Sequence, residues 1–73
     1  MKDTTCLAFG KKIRTMRKMH GWSQEVLAEK AGLHPTYIGG IERGERNPSL
    51  INLVRLANAL RVSLSELMQF SFD

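Results

Sequence analysis

Apolar residues recur along this chain three and four positions apart, which is the spacing of helices and not of strands. Cys6, Phe9, Ile13 and Met16 make the inner stripe of a first helix from about Thr5 to Met19. Lys11, Arg14 and Lys18 share its opposite face, Arg17 lies at the edge of the inner stripe next to Ile13, and Gly21 ends the helix. Ser23 is suited to cap a second helix, Gln24 to Ala31, with Leu27, Ala28 and Ala31 inward and Gly32 as its stop. Leu33 and His34 follow. Pro35 then takes the first position of a third helix, where its missing N–H does no harm, and this helix runs to Arg43 and ends at Gly44. After the loop from Gly44 to Pro48, Ser49 caps a fourth helix with Leu50, Leu53, Ala57 and Leu60 inward. Ser63-Leu-Ser-Glu66 has the form of a capping box and opens a fifth helix with Leu64, Leu67 and Met68 inward. Phe70 and Phe72 lie in a short tail with little room to bury them. The expected fold class is all-α with five short helices.

At 73 residues the chain makes one domain, 1–73, with a core over about 7–68. A core this small is marginal by itself, so tight packing or a dimer is expected. With 42% hydrophobic and 25% charged residues the composition is that of an ordinary globular protein. No apolar run approaches the roughly 18 residues of a membrane span, and the opening stretch is too short in apolar residues for a secretory signal. The single cysteine excludes an internal disulfide and fits a reducing, cytoplasmic compartment. Cys6, His20 and His34 cannot complete a four-ligand zinc site, and no metal or cofactor is expected.

Charge narrows the partners. Eleven Lys+Arg against seven Asp+Glu give +4, a balance that favours an anionic partner, nucleic acid before a membrane surface. Lys11, Lys12, Arg14, Arg17 and Lys18 fall in one stretch with no acid among them. The Lys11/Arg14/Lys18 face itself reads as solvated.

Two short helices joined by a tight turn at Gly32 have the layout of a helix-turn-helix. On the third helix Ile38 and Ile41 point one way, and Thr36, Gly40 and Arg43 the other, with Gly39 nearby. Two adjacent glycines cost a packing helix about 1 kcal/mol each relative to alanine. A helix that sits close to DNA can use them to bring its backbone near base edges. Thr36 can meet a thymine methyl or donate a hydrogen bond, and Arg43 can reach a guanine edge or a phosphate. Tyr37, on the flank, can reach a phosphate or stack on a sugar–base edge.

Ser23-Gln-Glu-Val-Leu-Ala-Glu-Lys-Ala-Gly32, Ile38, Ile41-Glu-Arg-Gly44, Asn47-Pro-Ser-Leu50 and Leu56-Ala-Asn-Ala-Leu60, all in register, resemble the lambda-repressor-like helix-turn-helix family of Cro/C1 or Xre type over about residues 7–68. The resemblance implies a five-helix DNA-binding domain acting as a transcriptional regulator. It also implies that Gln24 touches phosphate and braces the recognition helix, that Arg46 and Asn47 clamp the backbone, and that Arg17 pairs with Glu42. The run from Gly32 to Asn47 is further similar to the controller proteins of restriction–modification systems, small free-standing dimers. It departs from them at Pro35, where such proteins often carry a basic residue, so the contact made there in that group is not carried over.

The remaining residues read more plainly. Cys6, Met16, Met19 and Met68 are expected as core fillers, and His20 as a helix-end residue. Trp22 is expected to staple the second helix to the core. His34 is open to a capping or phosphate-facing role or a purely structural one. No carboxylate pair, nucleophile–base couple or phosphate-binding glycine loop is present, so no enzyme and no small-molecule ligand is expected. The competing function is a protein-interaction module, such as an antitoxin-like partner on the same scaffold. The small cationic outer face of the third helix favours double-stranded DNA. One recognition helix reads only a few base pairs, so a homodimer is expected, with Ile51, Phe70 and Phe72 as its apolar interface; the alternative is that Phe70 folds back to cap the monomer core and Ile51 is an isolated surface residue.

Overall fold

The structure is a computed structural model, and it describes residues 3–71. It comprises α1 (Thr4–Met19), α2 (Gln24–Ala31), α3 (Pro35–Glu42), α4 (Leu50–Leu60) and α5 (Leu64–Leu67), with no strand among the described residues. No helix among them is long and apolar enough to cross a membrane.

Each boundary has a chemical cause. The side chains of Asp3, Ser23, His34, Ser49 and Ser63 each accept a hydrogen bond from a backbone N–H of the first helical turn that follows. Pro35 occupies the first turn of α3. Gly32 closes α2 in the left-handed conformation at φ 69°, and the N–H of Leu33 returns to the carbonyl of Ala28. That turn sends the chain straight into α3, which packs against both α2 and α1, while α2 also packs on α4.

Phe9, Ile13, Met16, Leu27, Ala28, Ala31, Ile38, Ile41, Leu56, Ala57, Leu60 and Leu67 form the core. At Gly10 the α1 backbone passes directly over the end of α3. A Cβ there would collide with the carbonyl oxygen of Ile41 and lie 2.8 Å from that of Glu42. Glycine therefore sets how closely α1 can hold the helix-turn-helix, a requirement that hydrophobic spacing does not announce.

Several expected inner positions face outward. Leu50 is 68% exposed and Leu56 fully buried, so the buried stripe of α4 is Leu56, Ala57 and Leu60, with half-buried Leu53 packed beside it. Leu50 is at a compatible angle on the wheel, but it occupies the first turn, beyond the layer that the rest of α4 covers. Met19, at the last position of α1, is 81% exposed, and Met68, at the end of α5, is 42% exposed. Both sit where a helix runs out past its packing partners, so neither fills the core. Phe70 follows the alternative reading of the tail and not the interface one. It is half-buried, packs on the core and meets Phe9 edge-on at 5.9 Å between ring centroids. The tail thus folds back onto the monomer. Phe72 lies outside the described residues.

Candidate nucleic-acid interface

Helix α3 begins at His34, whose Nδ1 accepts the N–H of Thr36 at 3.1 Å. That bond occupies Nδ1 as an acceptor, so the neutral ring carries its proton on Nε2. His34 and Thr36 are exposed, and Pro35 and Tyr37 are half-buried. The phenol oxygen of Tyr37 accepts a hydrogen bond from Asn52 Nδ2 at 3.2 Å, which anchors this flank of α3 to α4. Asn52 was not legible as a site residue. Its signal is position alone, since its own N–H is the one capped by Ser49.

The C-terminal end of α3 is clasped from beneath. Arg17 donates to both carboxylate oxygens of Glu42, from Nε at 2.7 Å and from Nη2 at 3.0 Å, and from Nη1 to the carbonyl of Trp22 at 2.7 Å. Gln24 adds a hydrogen bond to Glu42 Oε1 at 3.1 Å. The pair is nearly dry, with side-chain exposures of 10% for Arg17 and 4% for Glu42. The hydrogen bond to Glu42 raises the proton affinity of Arg17 above that of an ordinary arginine, against the opposing effect of burial. One guanidinium thereby ties α1, the α1–α2 turn and α3 together, and Gln24 joins α2 to the same carboxylate.

The outer surface of α3 holds a rearrangement that the sequence did not disclose. Gly39 and Gly40 are buried, and what covers them is the chain's own cationic side chains. A Cβ at Gly39 would lie 3.0 Å from Arg43 Nη1 and 3.3 Å from Gln24 Oε1. A Cβ at Gly40 would lie 2.8 Å from Arg46 Cγ. The two glycines make a shallow seat in which Arg43 and Arg46 lie along the helix. Both arginines are exposed, as is Asn47. Arg43 Nε also meets Glu45 at 3.1 Å in an exposed ion pair, so Glu45 belongs to this surface although nothing in the hydrophobic pattern marked it. His34, Thr36, Arg43 and Arg46 are thus gathered on and beside α3, whereas Asn47 lines a crevice with Thr5, Phe9 and Phe70. Ile51 is elsewhere on α4 and 67% exposed.

Residues 13–67 match the family described as helix-turn-helix. The chain is 43% identical over 72 residues to control protein C.BamHI of Bacillus amyloliquefaciens, spanning 97% of this chain and 89% of that protein. The restriction-modification controller protein C.AhdI from Aeromonas hydrophila superimposes with a TM-score of 0.83 at 47% identity, covering 85% of this chain and 94% of that one. The biofilm regulator SinR of Bacillus subtilis, solved in complex with DNA, superimposes with a TM-score of 0.78 at 39% identity, covering 84% of this chain and 98% of that one.

Proposed function

This chain belongs to the helix-turn-helix family, and on that premise we propose that it is a sequence-specific DNA-binding transcriptional regulator that reads its operator as a homodimer and controls a restriction–modification operon. The observation that carries the reading is the seat on α3. An exposed threonine at its start and two exposed arginines along it form a small cationic ridge on a helix that Arg17, Gln24 and Glu42 hold rigidly. A ridge of that size suits a major groove.

The roles divide by position. Thr36 and the N-terminal residues around it, His34, Pro35 and Tyr37, face base edges and the adjoining sugar. Arg43, Arg46, Asn47 and Gln24 engage phosphates and set the register. Tyr37 and Gln24 are already hydrogen-bonded within the protein, so each would approach DNA in a fixed orientation. The dimer forms through the outer face of α4, where Leu50, Ile51 and Val54 lie within one turn of each other and are 68%, 67% and 41% exposed. The similarity to C.BamHI and C.AhdI supports the restriction–modification setting.

The test is a salt titration of binding to operator-bearing and random duplexes. Each phosphate contact released by salt contributes a slope of roughly −0.9 in log affinity against log salt concentration. Affinity is expected to fall by orders of magnitude between low and moderate salt while preference for the operator persists. A flat response, or equal binding to both duplexes, would overturn the reading.

A further inference from the structure

Away from α3, the turn between α1 and α2 and the end of α4 enclose an open cleft of about 380 Å³, lined by His20, Trp22, Lys30, Asn58, Ala59 and Arg61. No residue of α3 or of the loop after it contributes to the lining. We infer that this cleft is a docking site for an acidic segment of a partner protein.

The aromatic wall is already ordered. His20 stacks on Trp22 at 4.1 Å between centroids and 14° between planes, and its Nε2 lies 3.1 Å from the carbonyl oxygen of Leu60. The ammonium of Lys30 lies 5.0 Å from the centroid of the Trp22 ring. Trp22 is half-buried against the core, with His20 stacked on its ring and Lys30 held over it. Little side-chain entropy is left to lose when a ligand settles on such a wall.

The charge is of one sign. Lys30 and Arg61 are exposed, no acid lines the cleft, and among the described residues neither cationic head has a carboxylate or hydrogen-bond partner. Lys30 is in the last turn of α2 and Arg61 caps α4, so part of their charge answers helix carbonyls. That placement accounts for their position but leaves their donors unused. Carboxylates would use them, and tryptophan and arginine are both residue types enriched where binding energy concentrates at interfaces. The cleft is shallow and open, which suits side chains presented on a peptide better than an enclosed small molecule.

Trp22 is the single tryptophan of the chain and reports on the cleft directly. The full chain is titrated with a short glutamate-rich peptide that lacks aromatic residues, with inorganic phosphate and a lysine-rich peptide of equal length run alongside, and Trp22 emission is followed. A saturable change with the acidic peptide alone is expected. In the Lys30→Gln/Arg61→Gln double variant it should weaken on the order of tenfold, as for loss of complementary charge across an interface. Helical content should not change. Operator affinity at salt high enough to screen long-range fields should stay within about threefold. Three results would overturn the inference: no saturable change, an equal response to inorganic phosphate, or loss of the response in Arg43→Ala/Arg46→Ala instead. The last would place the acidic peptide on the DNA-binding ridge.

Discussion

Arg17 shows how much one side chain can decide in a domain this small. It carries three of the hydrogen bonds that unite α1, the α1–α2 turn and α3, and it does so almost out of water. Removing Glu42 leaves that guanidinium buried with its charge unmatched and takes away the acceptor of Gln24. Loss of one partner of a buried pair costs roughly 3–5 kcal/mol, comparable with the whole stability of a small domain. Glu42→Ala is therefore expected to melt far below the parent protein, and Glu42→Gln, which keeps an acceptor oxygen, to lose less. An unchanged thermal midpoint for Glu42→Ala would contradict this. The basic partner does not titrate near neutrality. Its folded pKa is raised, so its contribution is fully present below the ordinary arginine value and is lost only above it. Stability should consequently show no loss attributable to Arg17 as pH rises from neutral to moderately alkaline.

At the scale of the element, α3 carries two glycines that look like a weakness and act as a seat. Alanine at position 40 would gain about 1 kcal/mol of helix propensity. Its Cβ, however, would press on Arg46 Cγ, and the exposed Arg46 chain would have to lift away. Gly40→Ala is expected to leave the fold as stable as before, or slightly more so, and to weaken binding to operator and random duplex by a similar factor, as Arg46→Ala does. Thr36→Ala should instead lower the preference for operator over random DNA, by less than the roughly 1–3 kcal/mol that a bidentate base contact supplies. Competition binding with both duplexes, beside a thermal melt, separates these outcomes. Wild-type affinity in Gly40→Ala would show that the seat does not position Arg46.

For the molecule as a whole, two apolar arcs of α4 share the work. Leu53, Leu56, Ala57 and Leu60 close the core, and Leu50, Ile51 and Val54 remain on the outside. An arc of three exposed aliphatic residues on one short helix is the kind of patch that marks an interface, and two-fold pairing would place two recognition helices about one DNA turn apart, near 34 Å. Leu50→Glu and Ile51→Glu are expected to give folded monomers in sedimentation equilibrium, with a sharp loss of operator affinity. Phe70→Glu should behave differently. Because Phe70 packs on Phe9 and the core, its replacement should lower thermal stability as well. Dimers that persisted in both α4 variants would place the interface elsewhere.

The helices themselves were legible in the sequence because their causes are local. Ser23, Ser49 and Ser63 cap within three residues of themselves, Pro35 suits the first turn of a helix and not its interior, and Gly32 can turn where other residues would strain. The Arg17–Glu42 pair was implied by resemblance to a family, and the structure places the two residues in contact 25 positions apart. What only the tertiary structure decided depends on ends and distances that no periodicity contains. Leu50 and Met68 share the wheel positions of core residues but overhang the packed layer, whereas Phe70, beyond the last helix, finds Phe9 through space. Gly10 is required by a backbone on another helix, and Gly39 and Gly40 leave room for arginines that lie back over them. Spacing along the chain specifies which face of a helix is apolar. Which parts of that face are covered is set by where the neighbouring helices stop.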